Sequence, residues 1–422
     1  MSRQSIMAAG VLGVLLSGCA ATGAGPFSSS AAKDNWVASW GTAQLVPDAQ
    51  NELPAARWKD ASLRQVVRVS LGGEQLRVRL SNALGTEPLV VDAASVALSA
   101  GPGRAEVDAA SLRQLRFGGA ASVTIPAGAE YLSDPVALRH AGGADLAISL
   151  HFPQAPARQT SHPGSRATSF VASGQHVLDA AWSQAEKVTH WYQIAGIETL
   201  AAPGARSVVA IGDSITDGYG VAPDTNARWT DALAVRLREA KLELAVVNAG
   251  IGGGRMLRDG LGPNLAARFE RDVLARPGVS HAIVMIGVND FGVQHRNKED
   301  TPQARASLLD DLKQAHRQLV ASAHARGVCV VGATITPYAG SGYYQPGADN
   351  EADRQAYNDW IRHSGTFDGV VDFDAALRDP ARPSYLLKTY DNDGLHPSLD
   401  GYKAMAAAVP LEPLRNCAFG AR

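Results

Sequence analysis

Ser207-Val208-Val209-Ala210-Ile211 runs directly into Gly212-Asp213-Ser214-Ile215 and then Thr216-Asp217-Gly218. A short β-branched run reads as a buried strand, and glycines on either side of a serine read as a tight turn. One hydroxyl is thereby placed at the carboxyl end of a strand, where open parallel sheets have their ligand crevice. A serine there acts as a nucleophile only if a base takes its proton and donors hold the oxyanion that follows attack.

Outward from this stretch the chain alternates between strand-like and helix-like runs. Strands are expected at 207–211, 244–248, 282–286, 328–335 and 370–373, and helices at 229–241, 266–274, 304–326, 350–363 and 400–408. Leu308, Leu309, Leu312, Leu319 and Val320 share one helical face. Such alternation implies a parallel sheet with helices on both faces, a three-layer α/β/α domain over 206–418.

Upstream the pattern changes. From 34 to 200 no convincing helix is legible. Residues 63–71 alternate, Gly72-Gly73 follows, and 76–81 alternate again, which signals a hairpin. Runs at 95–98, 122–125 and 145–150 continue between Gly, Pro and Asp. Short strands separated by turns predict an antiparallel β-sandwich, jelly-roll-like in the broad sense, as a separate domain. Ala201-Ala202-Pro203-Gly204-Ala205 reads as the hinge. At 422 residues two domains are the prior.

The first residues read as an export signal. One positive charge precedes an apolar run over 6–16 that is too short to span a bilayer, and Leu16-Ser17-Gly18-Cys19 follows. Leu-Ser-Gly-Cys is similar to the bacterial lipobox, which implies a lipoprotein-type signal over 1–19 and a membrane anchor on Cys19; an ordinary signal peptide and a secreted protein are the alternative. The Ala-, Gly- and Ser-rich residues 20–33 then form a flexible linker. Of the two remaining cysteines, Cys329 lies in an apolar run and reads as an inert core thiol; a disulfide to Cys417 is not expected, since sequence does not place the two together. A net charge of −2 gives no electrostatic case for nucleic acid.

Four blocks carry the chemistry: Gly212-Asp213-Ser214, Asn248-Ala249-Gly250-Ile251-Gly252-Gly253, Gly287-Val288-Asn289-Asp290 and Asp393-Gly394-Leu395-His396-Pro397. In content and order they resemble the SGNH (GDSL-type) hydrolase superfamily across about 206–410. The resemblance implies a flavodoxin-like fold with Ser214 as nucleophile, His396 as base and Asp393 as its acid partner. It further implies an oxyanion hole from the backbone N–H groups of Ser214 and Gly253 and the Asn289 amide. The residue chemistry agrees: an imidazole with a reference pKa near ~6.5 suits a base at neutral pH, and a carboxylate on its other nitrogen fixes the tautomer. A glycine at 253 keeps a Cβ away from a substrate atom.

Rival readings are weaker. Arg255 stands where a dinucleotide turn needs its third glycine. No Gly-x-Ser-x-Gly elbow, His-Glu-x-x-His or Cys-x-x-Cys occurs, so neither an α/β-hydrolase elbow, a metal nor a cofactor is implied. Asp217, Tyr219, Arg228, Trp229, Arg255, Tyr338, Tyr343 and Tyr344 fall in or near strand-end loops; Arg255 and Tyr343 are the better candidates for substrate contact. The expected function is a serine esterase acting on small acyl esters, O-acetyl groups on carbohydrate above all, because family members with an N-terminal β-sandwich resemble carbohydrate esterases. The alternatives are an arylesterase, lipase or lysophospholipase of the same superfamily, or a surface glycan-binding lipoprotein with a vestigial hydrolase domain.

Overall fold

The computed structural model describes residues 34–417. The expected signal, linker and Cys19 anchor lie outside the described residues. Among the described residues no helix is long and apolar enough to cross a membrane.

The N-terminal part is built on two large antiparallel sheets, with two small two-stranded pairs beside them. Ala61–Arg68 is central in the larger, between Asp145–Phe152 and Ser169–Ser173. Gly73–Ser81 anchors the smaller and pairs with Ile194–Leu200, which in turn pairs with Trp36–Gly41. The period-2 pattern explains both faces of Gly73–Ser81. Leu76, Val78 and Leu80 share one core with Leu63, Val67, Leu146 and Ile148 of the larger sheet. On the other face Arg77 and Arg79 hold the buried Glu198 carboxylate. The sandwich expectation holds, but the hairpin does not: Ala61–Arg68 and Gly73–Ser81 belong to different sheets. Gly72 serves a crossover, and a Cβ there would lie 2.6 Å from His140 O and 2.9 Å from Gly142 N. The glycines are needed for backbone crowding at this corner, a requirement that sequence alone confuses with a two-residue turn.

The C-terminal part has five parallel strands, β1 (Arg206–Gly212), β2 (Leu244–Gly250), β3 (Val279–Met285), β4 (Cys329–Ala333) and β5 (Gly369–Val371). Their spatial order is β2-β1-β3-β4-β5, so the chain reverses direction between β1 and β3. Such a reversal opens a crevice at the carboxyl ends. The helices are α1 (Ser214–Asp217), α2 (Trp229–Glu239), α3 (Leu265–Phe269), α4 (Val288–Arg296), α5 (Pro302–His324), α6 (Ala348–His363), α7 (Phe373–Leu377) and α8 (Leu399–Ala408). Along β1, Val208 and Ala210 pack with α2, α7 and α8, while Val209 and Ile211 pack with α3 to α6. The single helix expected at 266–274 is α3 followed by a π turn over Glu270–Leu274. The short helices α1, α4 and α7 were not anticipated; four to nine residues carry too little periodicity to be read.

Both parts fall in one compact unit from Asn35 onward. Trp36–Gly41 lies against the edge strand β2, and Ala38, Ala43 and Leu45 join the core beneath β1. Ser70 caps that edge: its hydroxyl accepts from Val246 N (2.9 Å) and lies within bonding distance of Ser39 O (2.6 Å).

The free-thiol expectation is overturned. Cys329, at the start of β4, is disulfide-bonded to Cys417, with Cα atoms 5.6 Å apart. The turn of helix at Glu412–Arg415 carries the chain back beside β4, a proximity that 88 intervening residues conceal. A crosslink closing so long a loop restricts the unfolded chain, with a typical effect of about 2–4 kcal/mol. Cys417→Ser should therefore lower the thermal midpoint, and wild type in excess reductant should melt where the variant does.

Candidate active site

Ser214 is the first residue of α1, so its N–H has no intrahelical acceptor. Asp213 caps the helix through Oδ1, which accepts from Ile215 N (3.0 Å). The helix sits hard on the end of β2, where a Cβ on Gly250 would come within 2.3 Å of Asp217 N.

Two elements complete the wall opposite Ser214. Gly253, in the loop after β2, has φ +65°, a left-handed conformation natural to glycine. A Cβ there would touch Leu261 at 3.2 Å, so local backbone geometry already demands glycine without recourse to substrate. Asn289 lies in the first turn of α4. Its Nδ2 donates to Gly254 O (2.8 Å), and Tyr344 Oη donates to its Oδ1 (2.6 Å). The network thus fixes the amide orientation and leaves one N–H uncommitted by these two bonds. Asp290 ties α4 to the same loop by accepting from Met256 N (2.9 Å) and Leu257 N (3.4 Å).

The fourth block folds into a tight turn. Gly394 has φ +79°, and a Cβ there would lie 2.1 Å from Gly340 O. Asp393 Oδ1 accepts from Leu395 N (3.1 Å) and His396 N (2.8 Å), while Oδ2 faces His396 Nδ1 at 2.8 Å. His396 Nε2 is 2.8 Å from Ser214 Oγ. The matching tautomer has Nδ1 donating to the carboxylate and Nε2 accepting the serine proton. Burial lowers the basicity of His396 most; Asp393 opposes this, and the positive charge of Arg166 lowers it further. Partial burial works against the Asp393 anion, yet hydrogen bonds from His396 hold its carboxyl below the usual range.

Beneath the site lie two carboxyls with the opposite tendency. Burial pushes Asp213 up to about 7, helped by the negative charge of Asp290, and pushes Asp290 up to about 6. The buried Arg268 guanidinium braces the sheet there, donating to Gly212 O (2.9 Å) and Ala249 O (2.6 Å) at the ends of β1 and β2.

All five expected residues, Ser214, Gly253, Asn289, Asp393 and His396, line one cavity of about 440 Å³. Of the further candidates, Tyr219, Arg255, Tyr343 and Tyr344 also line it. The remaining four do not. Asp217 is buried against His162 Nε2 (2.8 Å), Arg228 is buried and reaches Ser165 O, Trp229 packs on Phe373, and Tyr338 is buried. Trp229 and Tyr338 point into packing, while Asp217 and Arg228 line a separate small cavity with His162 and Trp191.

What the sequence did not signal comes from the β-sandwich. His162 reaches Asp217, in the same helix as Ser214. Arg166 lies over the Tyr219 ring (5.6 Å), and Tyr219 stacks on His396 with centroids 4.0 Å apart. His162-Pro163-Gly164-Ser165-Arg166 carries no motif, and its role depends on a contact between the two parts of the chain.

Residues 210–404 match the GDSL-like Lipase/Acylhydrolase family. This part of the chain is a GDSL-like lipase/acylhydrolase domain of the SGNH hydrolase superfamily, the domain of a carboxylic ester hydrolase. No curated protein matches the chain. Among solved structures, a putative lipolytic protein of the G-D-S-L family from Desulfitobacterium hafniense is 25% identical over 48% of this chain and 96% of its own, with a TM-score of 0.35. An acetylxylan esterase from Geobacillus stearothermophilus is 22% identical over 48% and 91%, with a TM-score of 0.36. A carbohydrate acetylesterase from Sinorhizobium meliloti is 17% identical over 48% and 95%, with a TM-score of 0.37.

Two pH experiments follow. Removing a cation that disfavours the imidazolium raises the histidine pKa, so Arg166→Gln should move the acid limb of kcat/KM to higher pH; an unmoved limb would dissociate Arg166 from His396. Asp213 has a folded pKa raised from 3.8 to about 7, so the native state binds the extra proton and loses stability as pH rises between these values. Asp213→Asn, which keeps the Oδ1 acceptor, should gain thermal midpoint over wild type progressively from about pH 4 to about pH 7 and level off above.

Proposed function

We propose that the protein is a serine esterase that removes small acyl groups, chiefly O-acetyl, from carbohydrate. The observation that carries this reading is the chain of contacts Asp393–His396–Ser214, each link 2.8 Å, opening into a cavity walled by Gly253 and Asn289.

Ser214 Oγ attacks the ester carbonyl as its proton passes to His396 Nε2. The oxyanion is held by the N–H groups of Ser214 and Gly253 and by the free Asn289 amide hydrogen. The imidazolium, stabilised by Asp393, then protonates the departing alcohol. Water activated by the neutral imidazole hydrolyses the acyl-enzyme and releases the acid. Preorganised donors matter most in this sequence because they meet charge as it develops, at no cost of reorganisation.

Two features favour a small acyl group on a sugar. Gly252, Gly253 and Gly260 wall the cavity without bulk, and Tyr343 presents an exposed ring on which a sugar face can stack. Within this proposal the leader and the Cys19 anchor put the enzyme outside the cytoplasm, where acylated polysaccharide is met.

Ser214→Ala should abolish turnover of p-nitrophenyl acetate and leave the melting curve intact; a folded variant that still turns over the ester would refute the assignment. Asn289→Ala should lower kcat on the order of 10²–10³ while KM changes little. Acetate release from acetylated polysaccharides, compared with long-chain and aryl esters, distinguishes the carbohydrate reading from a lipase.

A further inference from the structure

The cavity over Ser214 holds two guanidinium groups that, among the described residues, form no ion pair. Arg255 lines the wall next to Gly253, and its guanidinium donates to a backbone carbonyl, Asp259 O. The Asp259 carboxylate in that loop accepts instead from Asn264 N (2.9 Å) and Nδ2 (2.8 Å). Arg296, at the end of α4, lies over the Tyr343 ring at 4.5 Å and the Tyr344 ring at 5.8 Å. A third cation, Arg166, stands behind Tyr219, with its Nε buried and without a hydrogen-bond partner.

The acidic side of the cavity does not balance these charges. Among the described residues Asp393 is its one lining carboxylate, and it is engaged by His396. Asp290 is turned to the backbone, accepting from Met256 N and Leu257 N, and forms no ion pair with Arg255. The whole chain carries a net charge of −2, so the positive field is a property of this cleft and not of the protein at large. A guanidinium free of an ion pair offers two parallel N–H donors shaped to receive a carboxylate, and the Tyr343 and Tyr344 rings hold the exposed Arg296 in place. A cleft of one sign also concentrates a substrate of the other.

We propose that Arg255 and Arg296 form a carboxylate subsite beside the reacting ester, so that the preferred substrate is an O-acetylated sugar that itself carries a carboxylate. The proposal rests on the esterase reading and adds the charge of the substrate to it.

The test compares one polymer in two forms: acetylated polygalacturonate with free carboxylates, and the same polymer with its carboxylates methyl-esterified. p-Nitrophenyl acetate serves as a neutral reference. At low salt the free acid should be deacetylated with a kcat/KM about tenfold or more above the capped form, through KM, as expected for charge-assisted hydrogen bonds. Added salt should shrink the gap. The Arg255→Gln/Arg296→Gln double variant should bring the ratio of the two polymers toward one. Equal rates on the two forms by the wild-type enzyme, with the aryl ester still cleaved, would overturn the subsite and leave the esterase standing. A ratio unchanged in a folded double variant would do the same. Failure on all three substrates would overturn the esterase reading and the subsite with it.

Discussion

The hydrogen bond between Ser214 Oγ and His396 Nε2 spans 182 residues of sequence, and every layer of the C-terminal part is needed to close it. β1 brings the serine to the crevice, because the strand order reverses at its side. α1 must then lie almost on the backbone of β2, which a side chain at Gly250 would prevent. The histidine arrives from the far end of the chain on a turn so tight that Gly394 abuts Gly340. Steric permission at a few glycines, and not any single strong attraction, makes the contact possible; the polar groups then hold what the backbone allows.

Those polar groups sort by burial. Asp393 is partly open to solvent and surrounded by donors, so it stays an anion able to support an imidazolium. Asp213 and Asp290 are fully enclosed and repel one another, so burial outweighs the backbone N–H groups they accept from. Carboxyls in neighbouring blocks thereby take different tasks, one electrostatic and two architectural. The architectural pair fixes the position of the helix that carries Ser214 and of the loop that carries Gly253.

Legibility in the sequence followed locality. Ser214, Gly253, Asn289, Asp393 and His396 are visible because each sits beside a glycine or turn residue whose role can be stated within five residues. The parallel sheet was readable from strand and helix periods, and the sandwich from alternation. Gly72-Gly73 misled because a corner between two sheets and a hairpin turn ask for the same residues. The Cys329–Cys417 bond, the Tyr344 hold on Asn289 and the His162–Asp217 pair join segments that are 88, 55 and 55 residues apart. No local pattern encodes such pairs, since either partner alone looks like an ordinary core or loop residue.

This last pair bears on why the β-sandwich accompanies the hydrolase domain at all. α1 has four residues, far too few to be stable by its own hydrogen bonds, so its position must come from tertiary contacts. On one side it rests on β2; at its end the buried Asp217 carboxylate is met by His162, whose other ring nitrogen faces Ala43 O at 2.8 Å. Both of those partners belong to the sandwich. Gly164 lies so close that a Cβ would fall 2.1 Å from Asp217 Oδ2, which leaves the helix little freedom to shift. Arg166, two residues further on, lies over the ring of Tyr219, which is itself stacked on His396. One five-residue loop of the N-terminal part therefore touches both the helix that carries Ser214 and the ring stacked on His396. On this geometry the sandwich braces α1, the helix that carries Ser214, through the contact between His162 and Asp217.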